Sequence, residues 1–218
     1  YTVKGDETYI KCANEEELLL RFLDDFRAAG DYPDIITGWN VQFYDMPYLA
    51  QRMKKLFTEE IWIRLSPLNR LMNRTIIILG RSQTVIDIKG VAILDYLELY
   101  RKFTYSQQES YKLDHIAHVE LGRRKTSFKE VGSLRRLYRE DHQKFIEYNI
   151  NDVKLVDELD QKLKIIELVC ALAYGAKANF VDCFKQVRLW DIMIYHKLRS
   201  DKKQLPPRPD SHQAPNKY

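Results

Sequence analysis

The sequence predicts an α/β fold in which short buried strands alternate with amphipathic helices, organised as one domain or at most two. Three observations carry this. An apolar stripe at Leu19, Phe22, Leu23 and Phe26 follows helical spacing and leads through a turn into the apolar run Ile35-Ile36. Thr75–Leu79 and Thr84–Ile88 flank Gly80-Arg81-Ser82-Gln83, the pattern of a β-hairpin. From Asp141 to about Ala173 the spacing of apolar residues is helical throughout, enough for one long helix or two.

Taken in order, Thr8-Tyr9-Ile10 has the look of a short strand. Asn14 is a helix N-cap, and Glu17 three residues on completes a capping box. Gly30 stops that helix, and Asp31–Asp34, with Pro33, makes the turn. Ile35–Trp39 reads as a buried strand, and a helix after Pro47 runs through Leu49, Met53 and Leu56. Val91–Leu94 is a further strand ending at Asp95, followed by a helix through Leu99 and Phe103. Basic loops cover roughly Gly122–Gly132, and a last helix spans Leu189–Leu198.

Composition narrows the function classes. With 45% hydrophobic and 30% charged residues, the chain has the balance of an ordinary globular protein. No apolar run approaches the length that crosses a bilayer, so no membrane partner is expected. Cys12, Cys170 and Cys183 are odd in number and lack metal-ligand spacing, which points to a reducing compartment. The net charge of +4 is unevenly spread, with basic excesses in residues 52–89 and 121–148. Such runs are solvated surface or the walls of a polyanion groove.

Two carboxylate motifs carry the chemistry. Gly38-Trp39-Asn40-Val41-Gln42-Phe43-Tyr44-Asp45-Met46-Pro47-Tyr48 follows the strand, and Tyr148-Asn149-Ile150-Asn151-Asp152 lies in the helical stretch. The first puts Asp45 just beyond a strand's C-terminal end, where open α/β sheets hold their sites. In the second, a spacing of four places Tyr148 and Asp152 on one helix face. Singly, each has a plain reading: Asp45 as a turn or helix-start residue, Tyr148 as a half-buried aromatic beside a surface carboxylate.

Together, these motifs resemble the second and third exonuclease motifs of family B DNA polymerases, N-x-x-x-F-D and Y-x-x-x-D. The resemblance, closest to the T4-like phage branch, continues through Arg64-Leu65-Ser66-Pro67, Ile93–Tyr100, Ser110-Tyr111-Lys112-Leu113-Asp114 and Trp190-Asp191. It implies an RNase H-like 3′→5′ exonuclease fold with a β-hairpin insertion and a helical C-terminal part. The exonuclease domain would occupy 1–173, a helical segment toward the polymerase palm 174–204, and a Pro-rich linker 205–218. It also implies proofreading by a two-metal hydrolysis, with Mg²⁺ or Mn²⁺ held by carboxylates. Asp45 and Asp152 would be the metal ligands and Tyr148 would orient the attacking water. Asn40, Phe43 and Tyr44 would meet the frayed 3′ end, and Arg123, Arg124 and Lys125 the phosphates. Tyr44 stands where the family usually has Phe, so its hydroxyl needs a partner or water.

The resemblance is incomplete in one respect. The family's first motif, D-x-E, occurs nowhere in the 218 residues. Because the chain also opens on Tyr1, it is expected to be an internal, N-terminally truncated portion of a longer polymerase with an incomplete two-metal site, weak or inactive alone. Its implied partners are single-stranded and primer-template DNA, the rest of the polymerase and, for the parent, a sliding clamp. The implied location is the cytoplasm of an infected bacterium. The competing reading is a non-catalytic nucleic-acid-binding module on the same fold. A rearranged metal site would need a further carboxylate beside Asp45 and Asp152. Asp95 is the nearest candidate, although a structural role suits it better.

Overall fold

The chain's first helix shows how local chemistry sets an element. In the computed structural model, which describes residues 7–27, 31–78, 80–123 and 134–204, α1 spans Glu15–Phe26. Asn14 Oδ1 accepts the Glu17 N–H at 2.8 Å, while Glu17 Oε2 accepts the Ala13 N–H at 2.7 Å. The reciprocal half of the capping box therefore reaches one residue further back than the standard arrangement. Leu19 and Leu23 are buried, with Phe22 and Phe26 packed against the same core. Truncating Leu23 to Ala would cost about 2–5 kcal/mol. The expected stop at Gly30 lies outside the described residues.

Strand β1 (Ile35–Gly38) and strand β4 (Ala92–Asp95) pair in parallel, with Ile36 opposite Ile93 and Gly38 opposite Asp95. Helix α2 (Asp45–Leu56) begins two residues before Pro47, earlier than expected. Its first-turn N–H groups have no intrahelical partner, so proline is tolerated there. A short α3 (Glu59–Trp62) and a 3₁₀ turn over Ile63–Leu65 follow. Thr8–Ile10 is not a strand; among the described residues none pairs with it.

The hairpin is longer and tighter than its sequence suggests. Strand β2 (Leu71–Ile78) pairs antiparallel with β3 (Arg81–Ile88) in a register that sets Ile78 opposite Arg81. The connection is two residues rather than four, and Gly80 adopts φ +75°, the left-handed backbone such a turn requires. Helix α2 packs with β3, and Met46, Ala50, Met53, Ile86, Ile88 and Ile93 share one core with α1.

Helix α4 (Tyr96–Phe103) is capped by Asp95, whose carboxylate accepts the Leu97 N–H. Helix α5 (Leu113–Leu121) was not legible in advance; it buries Leu113, Ile116 and Ala117 and ends at Gly122 with φ +68°. After α6 (Leu134–Glu140), α7 runs from His142 to Leu163 and α8 from Ile165 to Ala176. The expected helical stretch is thus two helices, broken where Lys164 takes φ +52°. Asp160 Oδ1 accepts the Ile166 N–H at 3.0 Å and satisfies the start of α8.

The chain divides into two compact units, one ending at Ile166 and one beginning at Glu167. In the second, a 3₁₀ turn over Phe180–Phe184 precedes α9 (Gln186–Ser200). Cys183 is buried there, its thiol directed at the Val169 carbonyl 3.8 Å away. Residues 205–218 lie outside the described residues. No helix among those described is long and apolar enough to cross a membrane.

Candidate active site

The β1–α2 connection is the centre of the site, and its shape follows from the residues on either side. Thr37 donates its hydroxyl to the Leu94 carbonyl at 2.8 Å, locking the end of β1 to β4. A Cβ at Gly38 would stand 3.2 Å from that of Val41, so the chain turns too tightly there for a side chain without adjustment. The Trp39 indole donates to the Tyr111 carbonyl at 3.1 Å and lies against Tyr96 and Tyr100, with centroids 6.3 and 6.2 Å away. Asn40 is left-handed, with φ +67°, a conformation asparagine adopts more readily than most residues. The Tyr44 N–H then bonds the Asn40 carbonyl and the Met46 N–H the Val41 carbonyl, carrying the turn into α2.

Asp45 is consequently the first residue of α2 and Asp152 sits midway along α7. Both line a single cleft of about 1530 Å³. Asn40, Phe43 and Tyr44 line it too, as does Gln83 from the hairpin. The structure therefore brings together five of the expected site residues. Tyr44 is 68% exposed, so water can satisfy its hydroxyl and the substitution of tyrosine for phenylalanine leaves no polar group stranded. Tyr148, one helical turn before Asp152, is buried and does not line the cleft. Arg123 is ion-paired with Glu158, exposed, and likewise absent from the lining. Arg124 and Lys125 lie outside the described residues.

The lining also holds acidic residues that motif reasoning missed: Glu98, Asp114, Asp157 and Asp160. The signal for Asp160 was present, because residues 152, 156 and 160 repeat at helical spacing along α7. Glu98 pairs with Arg101 at 3.0 Å, Asp157 accepts from Gln161 at 2.7 Å, and Asp160 accepts from the α8 backbone. The positive groups Arg101, Lys112 and Lys154 line the same cleft. Arg101 also stands over the Tyr111 ring, 4.6 Å from its centroid.

Burial sets the protonation of this region. Partial desolvation holds the Asp45 carboxyl above the usual carboxylate range, against the pull of its own backbone N–H. Asp95 is fully buried, and that burial likewise raises it, opposed by the N–H groups of Gln42, Asn40, Leu97 and Glu98. The Tyr96 and Tyr100 phenols are pushed up by burial first. The neighbouring carboxylates Asp160 and Glu120 add to the rise, so both stay neutral, and Tyr100 donates its hydroxyl to Glu120 at 2.7 Å.

As a cation site the donor set is partial. Among the described residues no group of three or more His, Cys, Asp or Glu side chains is placed to hold a metal ion. Two carboxylates on one cleft match Mg²⁺, which binds through one or two carboxylates plus substrate phosphates and water. Asp95 does not supply the third: its two oxygens are committed to backbone N–H groups at 3.0–3.1 Å.

Comparison with known proteins identifies the family. The model of the DNA polymerase family B exonuclease domain matches residues 2–116. The DNA-directed DNA polymerase of Escherichia phage RB69 is 35% identical over 91% of this chain, and that of Enterobacteria phage T4 is 32% identical over the same share. The DNA polymerase delta catalytic subunit of Caenorhabditis elegans is 27% identical over 85%. The chain spans 22% of the length of the two phage relatives. The matches to those relatives cover enough of the chain, with the family model covering more than half of it, to close the question of descent: this chain belongs to the exonuclease-domain family of the family B DNA polymerases.

Proposed function

We propose that the chain is the editing part of a longer family B polymerase, built on an RNase H-like core, and that its cleft receives the 3′ end of single-stranded DNA for hydrolysis of the terminal phosphodiester. One observation carries this reading: Asp45 and Asp152, from motifs about a hundred residues apart, line the same cleft. Aromatic and amide side chains of the β1–α2 loop stand beside them, as sequence-blind stacking on a frayed end requires.

In this reading Asp45 and Asp152 are the residues of this chain that hold divalent metal. When bound, the metal supplies an activated water and charge neutralisation at the phosphate. The chain's other contributions need no metal. Phe43 and Tyr44 offer faces on which the terminal bases stack, and Asn40 offers an amide to the sugar or base edge. Arg101, Lys112 and Lys154 offset the phosphate charge. Tyr148, buried one turn from Asp152, holds that turn of α7; orienting the attacking water, the role the motif implies, would need its phenol to reach a cleft it does not line. Arg123, with Arg124 and Lys125, would meet phosphates further along the strand. Further carboxylates must come from elsewhere in the longer protein, which is why residues 1–218 alone should cleave weakly or not at all. We assign the domain to residues 1–173, a helical segment toward the palm to 174–204 and a linker to 205–218.

The scarcity of grouped ligands among the described residues favours one alternative, a DNA-binding module without chemistry. Mononucleotide release from a 3′-labelled single strand by the full-length protein separates the two. Release that stops with EDTA and with Asp152→Ala supports the nuclease, whereas tight binding without release supports the module.

A further inference from the structure

We infer that Asp95 is a positioning residue for the cleft: its buried carboxylate holds the loop that delivers Asp45 and ties that loop to helix α4. The catalytic half of this inference rests on the editing-nuclease reading above; the structural half does not.

The geometry is unusual for a residue that ends a strand. Asp95 has no exposed surface. Its Oδ1 accepts the Asn40 N–H at 3.1 Å and the Leu97 N–H at 3.0 Å, and its Oδ2 accepts the Gln42 N–H at 3.0 Å. Two of these donors belong to the β1–α2 loop and one to the first turn of α4. The loop donors can converge on one carboxylate because Asn40 is left-handed, which turns alternate N–H groups toward the same side. The parallel register places Gly38 directly opposite Asp95, so the carboxylate stands where the loop leaves the sheet.

The chemistry demands a carboxylate at this place. Three N–H donors share two oxygens, so both oxygens must be acceptors. Asparagine would turn an NH₂ toward at least one of those donors. The elements tied together both line the cleft: Asn40, Phe43, Tyr44 and Asp45 of the loop, and Glu98 and Arg101 of α4. A shift of about 1 Å in such walls costs about a hundredfold in rate when reacting groups must align.

The test uses the full-length protein and its Asp95→Asn variant, with Asp95→Ala in parallel. Hydrogen exchange at single amides and 3′ nucleotide release are both measured well below the melting temperature. In the wild type, the Asn40 and Gln42 amides should exchange at least about a hundredfold slower than free amides. In Asp95→Asn they should speed up by about tenfold or more, while Ile76 and Gln83 of the hairpin stay unchanged. The kcat for release should fall about a hundredfold with KM within about threefold, and Asp95→Ala should fall further than Asp95→Asn. A residue that merely stabilises the fold would lower the melting point and leave kcat intact below it; that result overturns the inference. So does free exchange of the Asn40 and Gln42 amides in the wild type, an outcome that requires no variant to fold. If the wild type releases no nucleotide, the nuclease reading fails, and the exchange measurements alone judge the role of Asp95 in the loop.

Discussion

Replacing Trp39 by Phe tests whether the β1–α2 loop is held from its aromatic side. The indole makes two separable contributions. Its N–H donates to the Tyr111 carbonyl at 3.1 Å, and loss of such a neutral bond costs about 1 kcal/mol, including the carbonyl left without its donor. Its larger ring covers Tyr96 and Tyr100; shrinking it to phenyl removes about 40 Å² of apolar contact, or about 1 kcal/mol at about 25 cal/mol per Å². The expected destabilisation is therefore about 2 kcal/mol, or about 4–8 °C in melting temperature for a domain of this size. Urea unfolding followed by far-ultraviolet circular dichroism measures it without depending on the lost tryptophan signal. A change below about 0.5 kcal/mol would refute the reasoning, because neither the bond nor the packing would then be contributing.

Three further outcomes are expected. Asp45→Asn or Asp152→Asn in the full-length protein should reduce 3′ nucleotide release by about a thousandfold or more while primer extension continues; equal loss of both activities would indicate misfolding. Gly90→Ala should destabilise by about 2–4 kcal/mol, because Gly90 has φ +93° and a Cβ there would sit 2.3 Å from Pro67 Cγ. Thermal melts that match the wild type would contradict this. The third concerns pH. Burial raises the Asp45 pKa above its unfolded value, so its protonation contributes stability that is fully present below the ordinary carboxylate range. That contribution disappears as pH rises through the folded value. The stability lost in Asp45→Asn should consequently be larger near about pH 4 than at neutrality, and paired urea titrations showing the reverse slope would contradict the assignment.

Local chemistry was the most legible part of the fold. The Asn14 cap, the Leu19/Leu23 stripe, the strand at Ile35 and the helix that Asp95 caps were all readable, because each rests on residues within a turn or two of one another. What failed were features set by distant partners. The hairpin turn was read as four residues from composition, whereas pairing of β2 with β3 through Ile78 and Arg81 leaves only two. Helix α5 escaped because its apolar stripe is short and follows a polar loop. Thr8–Ile10 had strand-like composition, but a strand needs a neighbour. The motifs were legible in the same asymmetric way. They predicted a meeting of Asp45 and Asp152, while Glu98 and Asp160 entered the cleft through helix packing that no motif encodes.

The division of labour among the carboxylates follows from what surrounds each one. Asp95 is enclosed and saturated by backbone donors, so adding a cation there would require breaking the loop it holds. Asp160 is committed to the start of α8 and Glu98 to Arg101. Asp45 differs: it opens a helix at the cleft, and its carboxyl is raised by partial burial, opposed by its own backbone N–H. A divalent ion in the cleft would reverse that penalty, since an opposite charge within about 4–6 Å favours the ionised form. In the editing-nuclease reading proposed above, the burial that disfavours Asp45 as a bare anion would make it a better ligand than its saturated neighbours. A group held partly desolvated ahead of binding has less hydration to lose when the charge arrives.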